Sequence, residues 1–133
     1  MGFILSILSI ILFNTVSFMF FIFNLIYDVK NKKWFKNKNK VNYTSAKNID
    51  IFSNFNFKDF WNYFLSKGGY SFGRLGETLS SCLGKKLKEK SLNITGYVLA
   101  YTINIVDITT WFKGGHCHAS IQTDDEILRF INQ

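Results

Sequence analysis

The stretch ILSILSIILFNTVSFMFFIFNLIY, residues 4–27, decides the fold. It runs from Ile4 through Ile26 to Tyr27 with no charged residue before Asp28. As a helix rising 1.5 Å per residue it is roughly 35 Å long, enough to cross a hydrocarbon core of about 30 Å with some tilt. About 17 aliphatic or aromatic side chains favour insertion by roughly 5–10 kcal/mol in sum, which outweighs Asn14, Asn24 and the hydroxyls of Ser6, Ser9, Thr15 and Ser17. Hydroxyls also bond back to the carbonyls of their own helix. Asn14 falls near mid-membrane, where it either marks a helix–helix contact or is an amide tolerated by a strongly apolar helix.

A secretory signal peptide is the rival reading. It needs a basic leader, a short apolar run and a small-residue cleavage site. Here no Lys or Arg precedes the run, the run is long, and no A-x-A-like triplet follows it. Met1-Gly2 with Ser6 touches the myristoylation pattern, but a spanning helix makes such an anchor redundant.

Immediately after the run come Lys30, Lys32, Lys33, Lys36, Lys38, Lys40 and Lys47, with no acid between Asp28 and Asp50. Basic residues flanking a span stay on the cytoplasmic side. The expected topology is therefore N-terminus out and C-terminus in. The lysines also suit anionic headgroups, at about 1 kcal/mol per residue near the surface.

The chain has 133 residues, a net charge of +7, 18% aromatic residues and no proline. Beyond the anchor and a basic linker roughly 85 residues remain, which allows one small domain with a limited core. Abundant Phe, Ile, Lys and Asn fit the codon usage of an AT-rich genome, so their counts carry little functional weight. Two cysteines, Cys82 and Cys117, suit a reducing compartment rather than a disulfide framework. Nucleic-acid binding is disfavoured, because the positive charge clusters beside the span, where topology accounts for it. The division expected is an anchor over 1–28, a basic linker over 29–49 and a small membrane-associated helical domain over 50–133. The fold class expected is mainly α, with one N-terminal transmembrane helix followed by a small helical domain.

Within 50–133 the spacing predicts a helix over 56–67. Phe57, Phe60, Trp61, Phe64 and Leu65 fall at i, i+3, i+4, i+7 and i+8, with Asn56 as N-cap and Gly68-Gly69 as the stop. Beside an anchor, an aromatic face holding Phe60, Trp61 and Phe64 reads as an amphipathic helix in the interface plane. Next to it in the chain, Gly-Arg-Leu-Gly-Glu-Thr-Leu-Ser-Ser-Cys-Leu-Gly-Lys-Lys (73–86) suggests a short helix over 75–83 ended by Gly84. Gly76, Ser80 and Gly84 recur every fourth residue, a stripe that lets another backbone approach closely. Residues 94–112 carry a helical stripe from Ile94 to Phe112. Their β-branched content leaves a strand pair open, and their apolar character leaves a second membrane crossing open, although Asp107 opposes the latter by roughly 2.5–3.5 kcal/mol. Thr123 to Glu126 is a capping box opening a last short helix.

Chemistry has two places to sit. Glu77 and Ser81 share a helix face at i, i+4, so the carboxylate can hold the hydroxyl. A Ser or Cys nucleophile here requires His116 or His118 to be brought in by the fold. In His116-Cys117-His118, an extended backbone puts both imidazoles on one side and the thiol on the other. Two such ligands and a carboxylate can hold zinc, but the chain has no second ligand pair at finger-like spacing. The candidate catalytic residues are thus Glu77, Ser81, His116 and Cys117, and the candidate metal ligands His116 and His118. The plainer account is hydrogen bonding and small-residue packing, with no cofactor.

These same places carry a resemblance. The chain resembles small phage-encoded proteins of unassigned function that share G-D-P-D-E-T-[IL]-S-S-x-x-G-K, then a hydrophobic helix, then D-x-x-(D)…H-C-x-x-S-[IV] near the C-terminus. The matching residues are Gly73, Glu77, Thr78, Leu79, Ser80, Ser81, Gly84 and Lys85, then Asp107, His116, Cys117, Ser120 and Ile121. Arg74-Leu75-Gly76 stands where that family has D-P-D. The resemblance covers roughly the last 60 residues and implies a phage or prophage origin, with Glu77, Ser81, Lys85, His116 and Ser120 in one cluster. The function expected is a membrane accessory protein acting by binding or assembly at the cytoplasmic face of the host inner membrane, or in a virion membrane. Its partners would be the lipid bilayer and a second copy or another membrane protein. Two alternatives stand beside it: a membrane-tethered hydrolase or nuclease using Glu77 with His116 or His118, and a holin-like oligomer.

Overall fold

The structure is a computed structural model. Its described residues are 2–30 and 38–132, less the side chains of residues 6, 21, 24, 25, 27–30 and 38–42. The expected positions Lys32 and Lys33, with Trp34, Phe35 and Lys36, lie outside the described residues, as do the side chains of Lys30, Lys38 and Lys40. The chain is mainly helical: α1 Gly2–Lys30, α2 Lys38–Asn56, α3 Lys58–Leu65, α4 Leu79–Glu89, α5 Ile94–Val106, a 3₁₀ helix Ile108–Lys113, α6 His116–Ala119 and α7 Asp124–Ile131. Among the described residues there is no strand, only one isolated antiparallel bridge between Ser66 and Leu92. The strand alternative for 94–112 is therefore set aside. The chain divides into two compact units, Met1–Tyr43 and Thr44–Gln133.

The first unit is dominated by α1, which is long and apolar enough to cross a membrane. Over Gly2–Phe20 none of its described surface is buried within the protein. Its polar side chains turn back onto the helix. Asn14 Nδ2 donates to the Ile10 carbonyl at 2.8 Å, and Thr15 Oγ1 to that of Ile11 at 2.9 Å. The Asn14 amide thus finds an acceptor without a second helix.

The second unit packs α4 against α5 and α6, and α3 against α5. Its core holds Leu65, Phe72, Leu79, Cys82, Leu83, Leu92, Ala100 and Cys117. Helix α2 enters this unit with Ile51 and Asn54 buried. The basic linker expected over 29–49 is helical from Lys38 to its end, within α2. Among the described side chains of α2 only Ile51 and Asn54 are buried, which is too little to impose a hydrophobic period on the sequence.

The helix expected over 56–67 is α3, and it starts later. Asn56 closes α2 instead of capping α3, and Phe57 breaks the path at φ −107° and ψ 24° without a side-chain cap. The aromatic stripe divides. Leu65 is buried and Trp61 packs against the core, whereas Phe60 and Phe64 stay half exposed. Trp61 Nε1 also donates to the Ser53 carbonyl at 3.0 Å, tying α3 back to α2.

Helix α4 is shifted from the expected 75–83. Thr78 caps it, its hydroxyl accepting from Ser81 N at 3.1 Å, and Gly76 lies in the preceding turn at φ +80°. Gly84 does not end the helix, which runs on to Lys90 in the left-handed region. The five residues after Gly84 are Lys, Lys, Leu, Lys and Glu, all good helix formers, so one glycine does not stop it. What Gly84 provides is closeness: a Cβ there would lie 2.1 Å from the Cys117 carbonyl oxygen of α6.

Helix α5 is capped by Asn93, whose Oδ1 accepts from Gly96 N at 2.9 Å, and ends at Asp107. Its 13 residues are about 20 Å long, short of a 30 Å hydrocarbon core, so the second crossing is not formed by this helix. The final helix α7 carries the expected capping box, with Thr123 and Glu126 bonding reciprocally.

Candidate functional site

The N-terminal turn of α4 collects the polar groups of the second unit. Glu77 is fully buried. Its carboxylate accepts from Ser81 Oγ at 2.7 Å and from Tyr70 OH at 2.6 Å, and it pairs with Lys85 Nζ at 2.6 Å. Lys85 also donates to Tyr70 OH at 3.1 Å and sits 4.6 Å from the centre of that ring. Glu77, Tyr70 and Lys85 close a ring of three contacts, and Ser81 joins it through Glu77. The i, i+4, i+8 spacing of Glu77, Ser81 and Lys85 puts all three on one face. Tyr70 reaches them from the loop after Gly68-Gly69, where no local pattern announced it.

The same turn is held from outside. Asn54 of α2 donates from Nδ2 to the Glu77 carbonyl at 2.9 Å and accepts from Gly73 N at 3.1 Å. Gln122 accepts from Thr78 N at 2.7 Å through Oε1, and its own N–H donates to Ser81 Oγ at 3.0 Å. Gln122 Nε2 is buried with no hydrogen-bond partner among the described residues. Asp50 accepts from Ser80 N at 3.3 Å. Burial raises the Asp50 carboxyl above its usual range, against the lowering effect of Ser80 and of His116.

Electrostatics fit a locked cluster. Burial raises the Tyr70 hydroxyl, and its bond to Glu77 raises it further, so it stays a donor. Burial works to lower the Lys85 ammonium, but Glu77 and Tyr70 together outweigh it and the net shift is upward. Lys86, on the next face, is buried too. Its Nζ donates to Ser66 Oγ and the Gly68 carbonyl, both at 2.6 Å, and burial lowers its pKa. These oxygens are neutral, so Lys86 fastens the Gly68 turn by hydrogen bonds rather than by an ion pair.

The other predicted residues fall elsewhere. His116-Cys117-His118 is not extended but forms the single turn of α6, because Gly114 and Gly115, at φ +85° and +94°, reverse the chain just before it. His116 Nδ1 lies 2.6 Å from Asp107 Oδ2. Thr109, then His116, hold the Asp107 carboxyl down at about 2. His118 is exposed, whereas Cys117 is fully buried with its N–H on Asn104 Oδ1 at 2.8 Å. The cluster expected from Glu77, Ser81, Lys85, His116 and Ser120 therefore separates. The first three join Tyr70, His116 pairs with Asp107, and Ser120 N closes α6 onto the His116 carbonyl at 2.9 Å.

These arrangements limit the chemistry. Among the described residues no hydrogen bond or ion pair links Glu77 or Ser81 to either imidazole. Ser81 is fully buried, its proton is held by Glu77 and its oxygen accepts from Gln122, so it is no free nucleophile. Burial pushes the Cys117 thiol up to about 12 and raises that of Cys82 well above its usual range, which keeps both as thiols at neutral pH. No group of three or more His, Cys, Asp or Glu side chains converges among the described residues, so His116 and His118 have no third ligand there. The cluster cross-links α2, the 70–77 loop, α4 and the chain before α7. Comparison with family models, curated proteins and solved structures finds no match to this chain.

Proposed function

We propose that this chain is a single-pass membrane accessory protein of phage or prophage origin. Helix α1 crosses the host inner membrane with its N-terminus outside, and the second unit works on the cytoplasmic face by binding or assembly. The observation that carries this reading is α1 itself: a 29-residue helix whose Gly2–Phe20 stretch is long and apolar enough to cross a membrane, with none of its described residues buried within the protein. The lysines from Lys30 to Lys40 support the orientation. Their sequence position just after the apolar run is also where a cytoplasmic flank belongs. The phage origin rests on the resemblance in the last 60 or so residues. The locked Glu77 cluster fits a binding module better than a hydrolase, since it offers no accessible nucleophile and base.

The test is protease protection in spheroplasts of cells making the full chain with a different epitope at each end. The expected result is loss of the N-terminal epitope to external protease and survival of the C-terminal one until the membrane is broken. Recovery of the full chain in the soluble fraction, or protection in the reverse sense, overturns the proposal.

A further inference from the structure

Helix α5 has no charged residue from Ile94 to Val106. One side packs inward, with Gly96 and Ala100 buried and Leu99 and Ile103 against the core. On the opposite side Ile94, Val98, Tyr101 and Ile105 follow each other at helical spacing and are 57–79% exposed. A helix at a water-facing surface carries polar groups on the side away from the core. Here that side is aliphatic and aromatic. Past Asp107, Trp111 is 55% exposed and Phe112 fully so. Asn93 Nδ2 donates to the Phe64 carbonyl at 2.7 Å, and Gly96 lies against the Leu65 carbonyl, which sets α3 and its exposed Phe60 and Phe64 beside α5.

We propose that the outward side of α5, with the 3₁₀ turn and α3, rests in the headgroup–acyl boundary of a bilayer. The proposal builds on the reading of α1 as a membrane span, and its occupant is the same bilayer. In sequence the second unit begins at Thr44, soon after α1 ends at Lys30, so a membrane-spanning α1 tethers it to that bilayer. Helix α5 is too short to cross, packs one side on the core and turns an apolar side outward, a combination that suits lying in the plane. Tyr101 and Trp111 are residue types that settle at the headgroup level, and Lys58 and Lys113 are exposed. Lipid also accepts an apolar surface of any contour, including a fully protruding Phe112. A protein partner must supply a matching hollow.

The experiment uses the full chain in vesicles of phosphatidylethanolamine and phosphatidylglycerol. A nitroxide is attached to one introduced cysteine at a time: Val98→Cys and Ile105→Cys on the proposed surface, Asp125→Cys as an exposed reference, and Val16→Cys in α1. Collision with oxygen, which partitions into lipid, is compared with collision with a water-soluble nickel chelate. The expected oxygen-to-nickel ratio at Val98→Cys and Ile105→Cys is about tenfold above that at Asp125→Cys, as for a helix seated in the interface. If both match Asp125→Cys while Val16→Cys reports lipid, docking is overturned and the span stands. If Val16→Cys itself meets nickel freely, the span fails and the docking proposal falls with it. Labels at Val98→Cys and Ile105→Cys shielded from both reagents identify a protein partner instead and also overturn it. Spin–spin broadening that vanishes on dilution with unlabelled chain would identify that partner as a second copy.

Discussion

Glu77 shows what a single buried carboxylate does in a small domain. It is satisfied by a hydroxyl, a phenol and an ammonium, and removing its charge leaves Lys85 without its counter-ion in a site where Lys85 is only 18% exposed. Glu77→Gln is expected to destabilise the second unit by about 3 kcal/mol, the low end for breaking one partner of a buried pair. Denaturant unfolding of the variant in detergent checks this. Glu77→Gln combined with Lys85→Met should cost less than the two single changes added together, because they act on one interaction. Asp107 gives a pH dependence with a definite sign. Its folded pKa of about 2 lies below the unfolded value of about 3.9. The folded state therefore binds this proton less readily, so the stabilisation is present above about pH 4 and is lost as pH falls toward 2. Asp107→Asn should flatten that part of a stability–pH curve, measured by thermal unfolding between pH 2 and 6. Little of this was legible in the sequence. The Glu77–Ser81 pair followed from spacing, but Tyr70, Asn54, Asp50 and Gln122 arrive from loops and distant helices, and no local pattern encodes such meetings.

At the scale of elements, the signals that depend on neighbouring residues were readable and those that depend on packing were not. The Thr123–Glu126 capping box is local, and the structure carries it as the spacing predicts. Thr123→Ala should cost about 1 kcal/mol, seen as a lowered unfolding midpoint with unchanged steepness. In sequence Gly84 predicts a helix stop, because glycine often is one. Its actual role depends on α6, more than thirty residues later. Gly84→Ala would improve intrinsic helix propensity by about 1 kcal/mol, yet its Cβ would meet the Cys117 carbonyl at 2.1 Å. The clash involves backbone and should win, giving a net loss of more than about 2 kcal/mol by the same unfolding measurement. A helix judged alone would gain stability from that change, so the sign of the result separates the two roles. The aromatic helix was legible as α3, but its start was not: Phe57 breaks the helical path where periodicity carried it through.

At the scale of the whole molecule, the two units show opposite relations between sequence and surface. The second unit buries a small core under α3 to α6 and leaves a broad apolar surface uncovered on α3 and α5. In the first unit none of the described residues of Gly2–Phe20 is buried, and that stretch is apolar. In water such a helix would present a continuous exposed hydrophobic surface far beyond what monomeric soluble proteins show. A lipid environment reverses the sign of that exposure. The anchor was legible because it needs no tertiary information: length, hydropathy and flanking lysines are all local. The rival fate of such a segment, removal as a secretory signal, makes an equally plain prediction about mass. The most direct test is therefore the intact mass of the protein recovered from alkali-washed membranes. The expected result is the complete 133-residue chain, about 15.5 kDa, still in the membrane pellet. A chain shortened by its apolar N-terminus, or full-length protein released by the alkaline wash, would contradict a spanning α1.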